Sequence, residues 1–127
     1  MNLLDASAIF NLFQRGKYET LVSGATIPLA RYEIGNILWK NYKVRNRISK
    51  KEAMESGNVL FELLDSMEQI IPSLASVLNL SLDEGLTFYD SSYLISAIES
   101  GCELITDDLK LHKIASSKIT ARKSSDL

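Results

Sequence analysis

The chain has 127 residues, 46% of them hydrophobic and 24% charged, a balance typical of one globular domain spanning residues 1–127. Its single cysteine excludes an internal disulfide framework, and no apolar run is long enough to span a bilayer, so we expect a cytoplasmic protein. The net charge of −2 hides a segregation: residues 1–51 carry nine Lys or Arg against three acids, whereas residues 52–109 carry twelve acids and no Lys or Arg.

Short apolar strands and helical patterns alternate along the chain. The predicted strands are Leu3-Leu4, Ala25–Ile27, Gln69–Ile71, Glu103–Thr106 and Lys118–Ala121. Helical spacing predicts helices at 6–13, 28–46, 50–67, 73–80 and 91–100, and a last helix after Asp107-Asp108. Ser49 with Glu52 three residues later is typical of a capping box, and Gly101 is a good helix stop. Strands separated by helices predict an α/β protein with a mostly parallel sheet of four or five strands.

Acidic residues follow the predicted strands or open the predicted helices. Asp5 comes directly after the first strand, Glu33 lies one turn into the second helix, and Asp90 starts a helix. Asp107 and Asp108 follow the fourth strand. Because strand carboxyl ends and helix amino ends share one edge of an open parallel sheet, these acids are expected to converge on one pocket.

Carboxylates in such a pocket would repel one another unless a divalent cation lay between them. Mg²⁺ and Mn²⁺ are hard ions that prefer carboxylate oxygens, water and phosphate. The competing interpretation is that Asp5, Asp90 and Asp108 are helix N-caps, a position that Asp favours. Glu33 resists that interpretation, because it lies inside an apolar stretch where a carboxylate needs a partner.

Four segments of the sequence together resemble the PIN domain, and more narrowly the small VapC-type toxins of prokaryotes. They are LLDASA at 3–8, EIGNIL at 33–38, YDSSYLISA at 89–97 and LITDDLKL at 104–111. They occur in the family's order and spacing, and they are spread over nearly the whole chain, from residue 3 to residue 111.

The resemblance implies a three-layer α/β/α fold and a Mg²⁺- or Mn²⁺-dependent ribonuclease whose products carry a 5′-phosphate and a 3′-hydroxyl. It also implies a homodimer that is silenced by a small antitoxin. The family's four catalytic and metal-binding acids match Asp5, Glu33, Asp90 and Asp108. Three further residues match supporting positions: the hydroxyls match Ser7 and Thr106, and Asp107 occupies the variable position between Thr106 and Asp108.

Binding of RNA to an acidic pocket requires cations nearby. Arg31, Lys40, Lys43 and Lys110 are the candidates, and the wider basic segment 40–51 is interpreted either as a phosphate-binding surface or as a solvated helix face. The aromatic residues at helical spacings are interpreted as packing residues; they are Tyr32, Trp39, Tyr42 and Tyr93.

Other functional classes fit the sequence less well. A receiver domain needs its acidic pair after the first strand, and a haloacid-dehalogenase-type phosphatase needs Asp-x-Asp there; Asp5-Ala6-Ser7 supplies neither. The alternative that stays open is a non-catalytic PIN-like module that binds RNA or a protein partner.

Overall fold

Five short strands form one parallel sheet at the centre of the computed structural model, which describes residues 1–127. The strands are β1 (Asn2–Leu4), β2 (Ala25–Thr26), β3 (Glu68–Gln69), β4 (Glu103–Ile105) and β5 (Ala121–Arg122). Their order is β3-β2-β1-β4-β5, and every neighbouring pair is parallel. The predicted parallel sheet is confirmed, although β5 begins at the residue where the predicted last strand ends.

Seven helices cover the two faces of the sheet. They are α1 (Ala6–Gln14), α2 (Tyr18–Val22), α3 (Leu29–Lys43), α4 (Lys50–Ser66), α5 (Leu74–Glu84), α6 (Phe88–Ser100) and α7 (Leu109–Ser116). Helices α1 to α4 pack together, and α5 to α7 pack together. Because parallel crossovers are right-handed, the reversal of direction after β3 places the second group on the opposite face. The predicted three-layer α/β/α fold is confirmed.

The core is built on the two central strands. Leu3 and Leu4 of β1 point to opposite faces of the sheet, and both are fully buried. Leu104 and Ile105 of β4 are fully buried as well. The buried positions of these two strands are thus apolar on both faces, as is usual for a parallel sheet that is covered by helices on both sides. None of the seven helices combines the length and the apolarity needed to cross a membrane.

The strand order reverses beside β1. The chain moves outward from β1 to β2 and β3 and then returns to the other side of β1 with β4. In open α/β sheets such a reversal leaves a crevice at the carboxyl ends of the two strands, where ligands bind. Asp5 follows β1 at this crevice, and its backbone N–H donates to the carbonyl of Ile105 at 3.1 Å.

Two helix starts test the predictions that were based on nearby residues in the sequence. The predicted capping box is confirmed: Ser49 Oγ accepts from the Glu52 N–H and Glu52 Oε1 accepts from the Ser49 N–H, each at 3.0 Å. The prediction that Asp90 opens its helix is wrong, because Thr87 is the N-cap and its hydroxyl accepts from the Asp90 N–H at 3.1 Å. Asp90 thus lies in the first turn of α6, and its carboxylate is not used as a cap.

A side chain at Gly24 is expected to destabilise the fold. A Cβ there would lie 2.5 Å from Leu4 Cδ1 and 3.2 Å from the Asn2 carbonyl oxygen, and Leu4 is fully buried and cannot move aside. Gly24→Ala should therefore lower the free energy of unfolding by roughly 1–3 kcal/mol in urea denaturation. The matched control is Gly35→Ala in α3, where a Cβ meets nothing within 4 Å and helix propensity should add about 0.5–1 kcal/mol. Equal effects of the two substitutions would contradict this expectation.

Candidate active site

A cavity of about 670 Å³ lies at the carboxyl ends of β1 and β4. Its lining includes Asp5, Glu33, Asp90 and Asp108, all four acids predicted from the sequence. They come from four separate places in the fold: the end of β1, helix α3, the first turn of α6 and the N-cap of α7. The structure thus brings together carboxylates that are distant in the chain.

Asp5 is the most tightly held of the four acids. Its Oδ1 accepts from the Ser7 hydroxyl at 2.7 Å and from the Ala8 N–H at 2.9 Å, so it also caps α1. Its Oδ2 accepts from the Thr106 hydroxyl. A carboxylate has about four lone-pair sites, so one site, on Oδ2, stays open for a further ligand.

The two hydroxyls join Asp5 to the loop after β4. Ser7 Oγ also accepts from the Asp107 N–H at 3.1 Å, and Thr106 Oγ1 accepts from the Asp108 N–H at 3.1 Å. Each hydroxyl therefore donates to Asp5 and accepts from the backbone that carries the last acid. This geometry fixes the separation between Asp5 and the start of α7.

Glu33 is held by a buried tyrosine. The Tyr93 hydroxyl donates to Glu33 Oε1 at 2.6 Å, and Tyr93 itself is 1% exposed. Burial, and then the negative charge of Glu33, raise the pKa of Tyr93 far above its usual value, so it stays a donor. The sequence interpretation took Tyr93 as packing only. The missed signal is that a buried tyrosine hydroxyl needs a partner, and a carboxylate in an apolar helix face needs a donor.

Asp90 and Asp108 complete the acidic lining of the cavity. Burial raises the pKa of Asp90, the nearby charges of Asp108 and Glu33 raise it further, and Lys110 partly opposes them. Asp108 Oδ1 accepts from the Leu111 N–H at 2.8 Å and caps α7. Capping and cavity lining are therefore combined in Asp5 and in Asp108, and the two interpretations of these residues do not exclude each other.

The donors of the cavity fit a hard divalent cation. Its lining offers four carboxylates and no His or Cys, and Lys40 is its single cationic side chain. Carboxylate oxygens are the ligands that Mg²⁺ and Mn²⁺ prefer. No three of the acidic side chains form a ready-made ligand cluster as they stand. One or two carboxylates with water completing the coordination is the usual arrangement for Mg²⁺, and this cavity suits it.

Asp107 lies outside the cavity. Its Oδ2 accepts from Asn11 Nδ2 at 2.6 Å and from the Ser124 hydroxyl, and its Oδ1 accepts from the Ser124 N–H at 2.8 Å. Burial alone would raise its pKa, but these hydrogen bonds outweigh burial and lower the pKa. Its side chain thus ties the loop after β4 to α1 and to the 3₁₀ turn Ser124–Asp126, while its N–H supports Ser7.

The four cations predicted to bind phosphate lie in different surroundings. Lys40 lines the cavity, and Lys110 Nζ donates to the Gly85 carbonyl at 3.0 Å, near Asp90. Arg31 does not line it, because its guanidinium bonds Asp65 at 2.7 Å and Gln69 at 2.9 Å. Lys43 is exposed and does not line the cavity.

Without metal, the protein is expected to lose stability as the pH rises from about 4 to 6. Burial raises the pKa of Asp5 from 3.8 to about 6, so across this window the folded chain keeps a proton that the unfolded chain has released. The contribution of the raised Asp5 pKa to the free energy of unfolding is full below pH 4 and falls by up to about 3 kcal/mol by pH 7. Urea unfolding in EDTA at pH 4 and pH 7 measures it.

Asp5→Asn is the control for this effect. It should remove most of the change in the free energy of unfolding between pH 4 and pH 7. Saturating Mn²⁺ at pH 7 should raise the melting temperature of the natural chain but not that of Asp5→Asn. A pH slope that is the same in both proteins would show that Asp5 is not the group responsible.

The fold and the site define the class of protein: a PIN-like α/β/α domain with an acidic centre. Among solved structures, PAE2754 from Pyrobaculum aerophilum matches with a TM-score of 0.79 and 32% identity, over 95% of this chain and 89% of that one. VapBC-1 from nontypeable Haemophilus influenzae (TM-score 0.61, 13% identity, 98% of both chains) shares the fold. FitAcB from Neisseria gonorrhoeae also shares it (TM-score 0.60, 14% identity, all of both chains).

Two relatives of known name are similar in sequence. Exonuclease VapC9 of Pyrobaculum aerophilum is 34% identical over 114 residues, covering 86% of this chain and 81% of the relative. Ribonuclease VapC3 of the same organism is 34% identical over 121 residues, covering 86% of this chain and 90% of the relative. A scan against models of known protein families gives no match. The chain belongs to the VapC family.

Proposed function

We propose that this protein is a Mg²⁺- or Mn²⁺-dependent endoribonuclease and the toxin of a toxin–antitoxin pair. The observation that carries the proposal is the convergence of Asp5, Glu33, Asp90 and Asp108 on one cavity. The names of the relatives, an exonuclease and a ribonuclease of the VapC family, support phosphodiester hydrolysis.

The acids have distinct parts in the proposed chemistry. The four acids would hold a divalent cation, which would supply a water of lowered pKa and would neutralise charge on phosphate oxygens. Asp5, Glu33 and Asp108 are held in place by protein donors, which suits them to orient a ligand. Asp90 has a raised pKa and a carboxylate that caps no helix, so it is the acid best suited to orient water and accept its proton.

Protein partners are also part of the proposal. We propose a homodimer and a small antitoxin beside the RNA substrate, as the family resemblance implies, and we retain the expectation of a cytoplasmic location. Two uncovered apolar surfaces support such partners. One is a stripe on α5, where Leu74, Leu78 and Leu82 are 64%, 51% and 76% exposed. The other is a groove between α3 and α4, whose lining includes Trp39 and Phe61. Large exposed apolar patches are unusual on monomers.

The direct test of the proposed activity is RNA cleavage by the purified protein. Linear and circular forms of one RNA are incubated with Mg²⁺, with Mn²⁺ or with EDTA. Cleavage of both forms that EDTA abolishes is expected for a metal-dependent endonuclease. Cleavage of the linear form alone would make the protein an exonuclease, and absence of cleavage with either metal would favour the non-catalytic binding module.

A further inference from the structure

Two tyrosines that line the cavity expose most of their surface to solvent. Tyr32 is 77% exposed and Tyr89 is 59% exposed, and both line the cavity. Each directly precedes an acid of the site, Glu33 on α3 and Asp90 on α6. Neither ring packs on another aromatic ring, since the one ring pair in the structure joins Phe13 and Tyr18. The interpretation of Tyr32 as a packing residue is therefore wrong.

A polar stripe on α3 continues from Tyr32 along the cavity. Tyr32, Asn36 and Lys40 are four residues apart, so they share one face of the helix, and all three are exposed and line the cavity. Lys40 forms no salt bridge. Aromatic, amide and ammonium groups thus follow one another away from the carboxylates.

The stripe leads into a surface of uncompensated positive charge. Beyond Lys40, the segment 43–51 carries five more Lys or Arg residues and no acid. Among them Lys51 alone has an acidic partner, Glu55, at 3.9 Å. A polyanion whose reacting phosphate sits at the acidic cavity would meet favourable charges along this path, in addition to Lys110 near Asp90.

We propose that Tyr32 and Tyr89 are stacking platforms for unpaired bases on either side of the reacting phosphate, and that the strand continues past Lys40 toward 43–51. The substrate is then single-stranded RNA, or an unpaired loop, rather than a duplex. The proposal rests on the proposed function for the identity of its ligand. Stacking on an aromatic side chain needs a free base face, which a paired and stacked base in a duplex does not offer.

Binding measured apart from cleavage tests this proposal. Fluorescence anisotropy follows a short labelled RNA, single-stranded or annealed to its complement, with Mg²⁺ in an Asp90→Asn background that blocks turnover. Tyr32→Ala with Tyr89→Ala should weaken single-strand binding at least about tenfold. Tyr32→Phe with Tyr89→Phe keeps the ring faces and should bind normally, as should Tyr18→Ala on α2. Lys40→Ala should lower the slope of log affinity against log salt by about one.

Two results would overturn the proposal: unchanged single-strand affinity in the double alanine variant, or duplex binding as tight as single-strand binding. The first would leave a protein partner as the occupant of the exposed rings. Hydrolysis of the same RNA by the natural chain is measured in parallel. Tyrosine-dependent binding without hydrolysis would refute the proposed activity alone, and hydrolysis with tyrosine-independent binding would refute the stacking proposal alone.

Discussion

Asp90→Asn is expected to reduce metal-dependent RNA cleavage by about 10²–10⁴-fold, the range that a positioned proton acceptor contributes. Asp90 lies half-buried in the first turn of α6, and its carboxylate caps no helix. Burial and the charges of Asp108 and Glu33 raise its pKa, so the ionised form is disfavoured in the metal-free fold. Asparagine removes that charge at nearly constant shape. The melting temperature in EDTA should therefore be unchanged or higher while activity is lost.

Initial rates of cleavage and thermal melts of the same preparations measure the two effects. The matched control is Asp83→Asn, an equal loss of charge at an exposed position of α5 that does not line the acidic cavity. Asp83→Asn should cleave like the natural chain. Full activity in Asp90→Asn would remove this residue from the machinery, and equal losses in both variants would point to a general effect of charge.

Tyr93→Phe is expected to weaken Mn²⁺ binding by about 10–100-fold, as the loss of an outer partner of a metal ligand usually does. The substitution keeps the buried ring and removes only the hydroxyl that donates to Glu33 Oε1 at 2.6 Å. Glu33 then loses its observed donor and can turn away from the cavity. Mn²⁺ affinity by calorimetry and the metal dependence of the cleavage rate should change together.

Tyr89→Phe serves as the control, because it removes a tyrosine hydroxyl that is exposed at the same cavity and has no observed hydrogen bond to Glu33. It should leave Mn²⁺ affinity unchanged. If Tyr93→Phe binds Mn²⁺ as tightly as the natural chain, the hydroxyl is a structural partner of Glu33 and does not position it for a ligand.

The parts of the fold that can be predicted from the sequence are those that are determined by residues close together in the chain. Ser49 and Glu52 mark the start of α4, and Gly101 ends α6 in the left-handed conformation with φ of 69°. Helix α2 was not predicted, because its five residues lack a side-chain cap and depend on packing against α1 and α4. The position of β5 was missed because its register is set by pairing with Ile105 and Leu104, far away in the chain.

The candidate site shows the same division between local and distant causes. Asp5 was predictable because it follows an apolar strand directly, and Ser7 lies two residues beyond it. The contact of Arg31 with Asp65 could not be predicted from the sequence, because it depends on how α3 packs against α4. The exposure of Tyr32 was missed for a similar reason: helical spacing shows which residues share a face, but not which face the rest of the chain leaves open.

The crevice between β1 and β4 has a consequence for the order in which the protein is made. Asp5 is translated before β4, Thr106 and Asp108, which lie on the other side of the crevice. A nascent polypeptide on the ribosome therefore carries three of the four acids without the strand that closes the pocket around them. The proposed hydrolytic activity therefore requires that β4 and the start of α7 have been made and that β4 has paired with β1, and a chain that stops before β4 is expected to lack it.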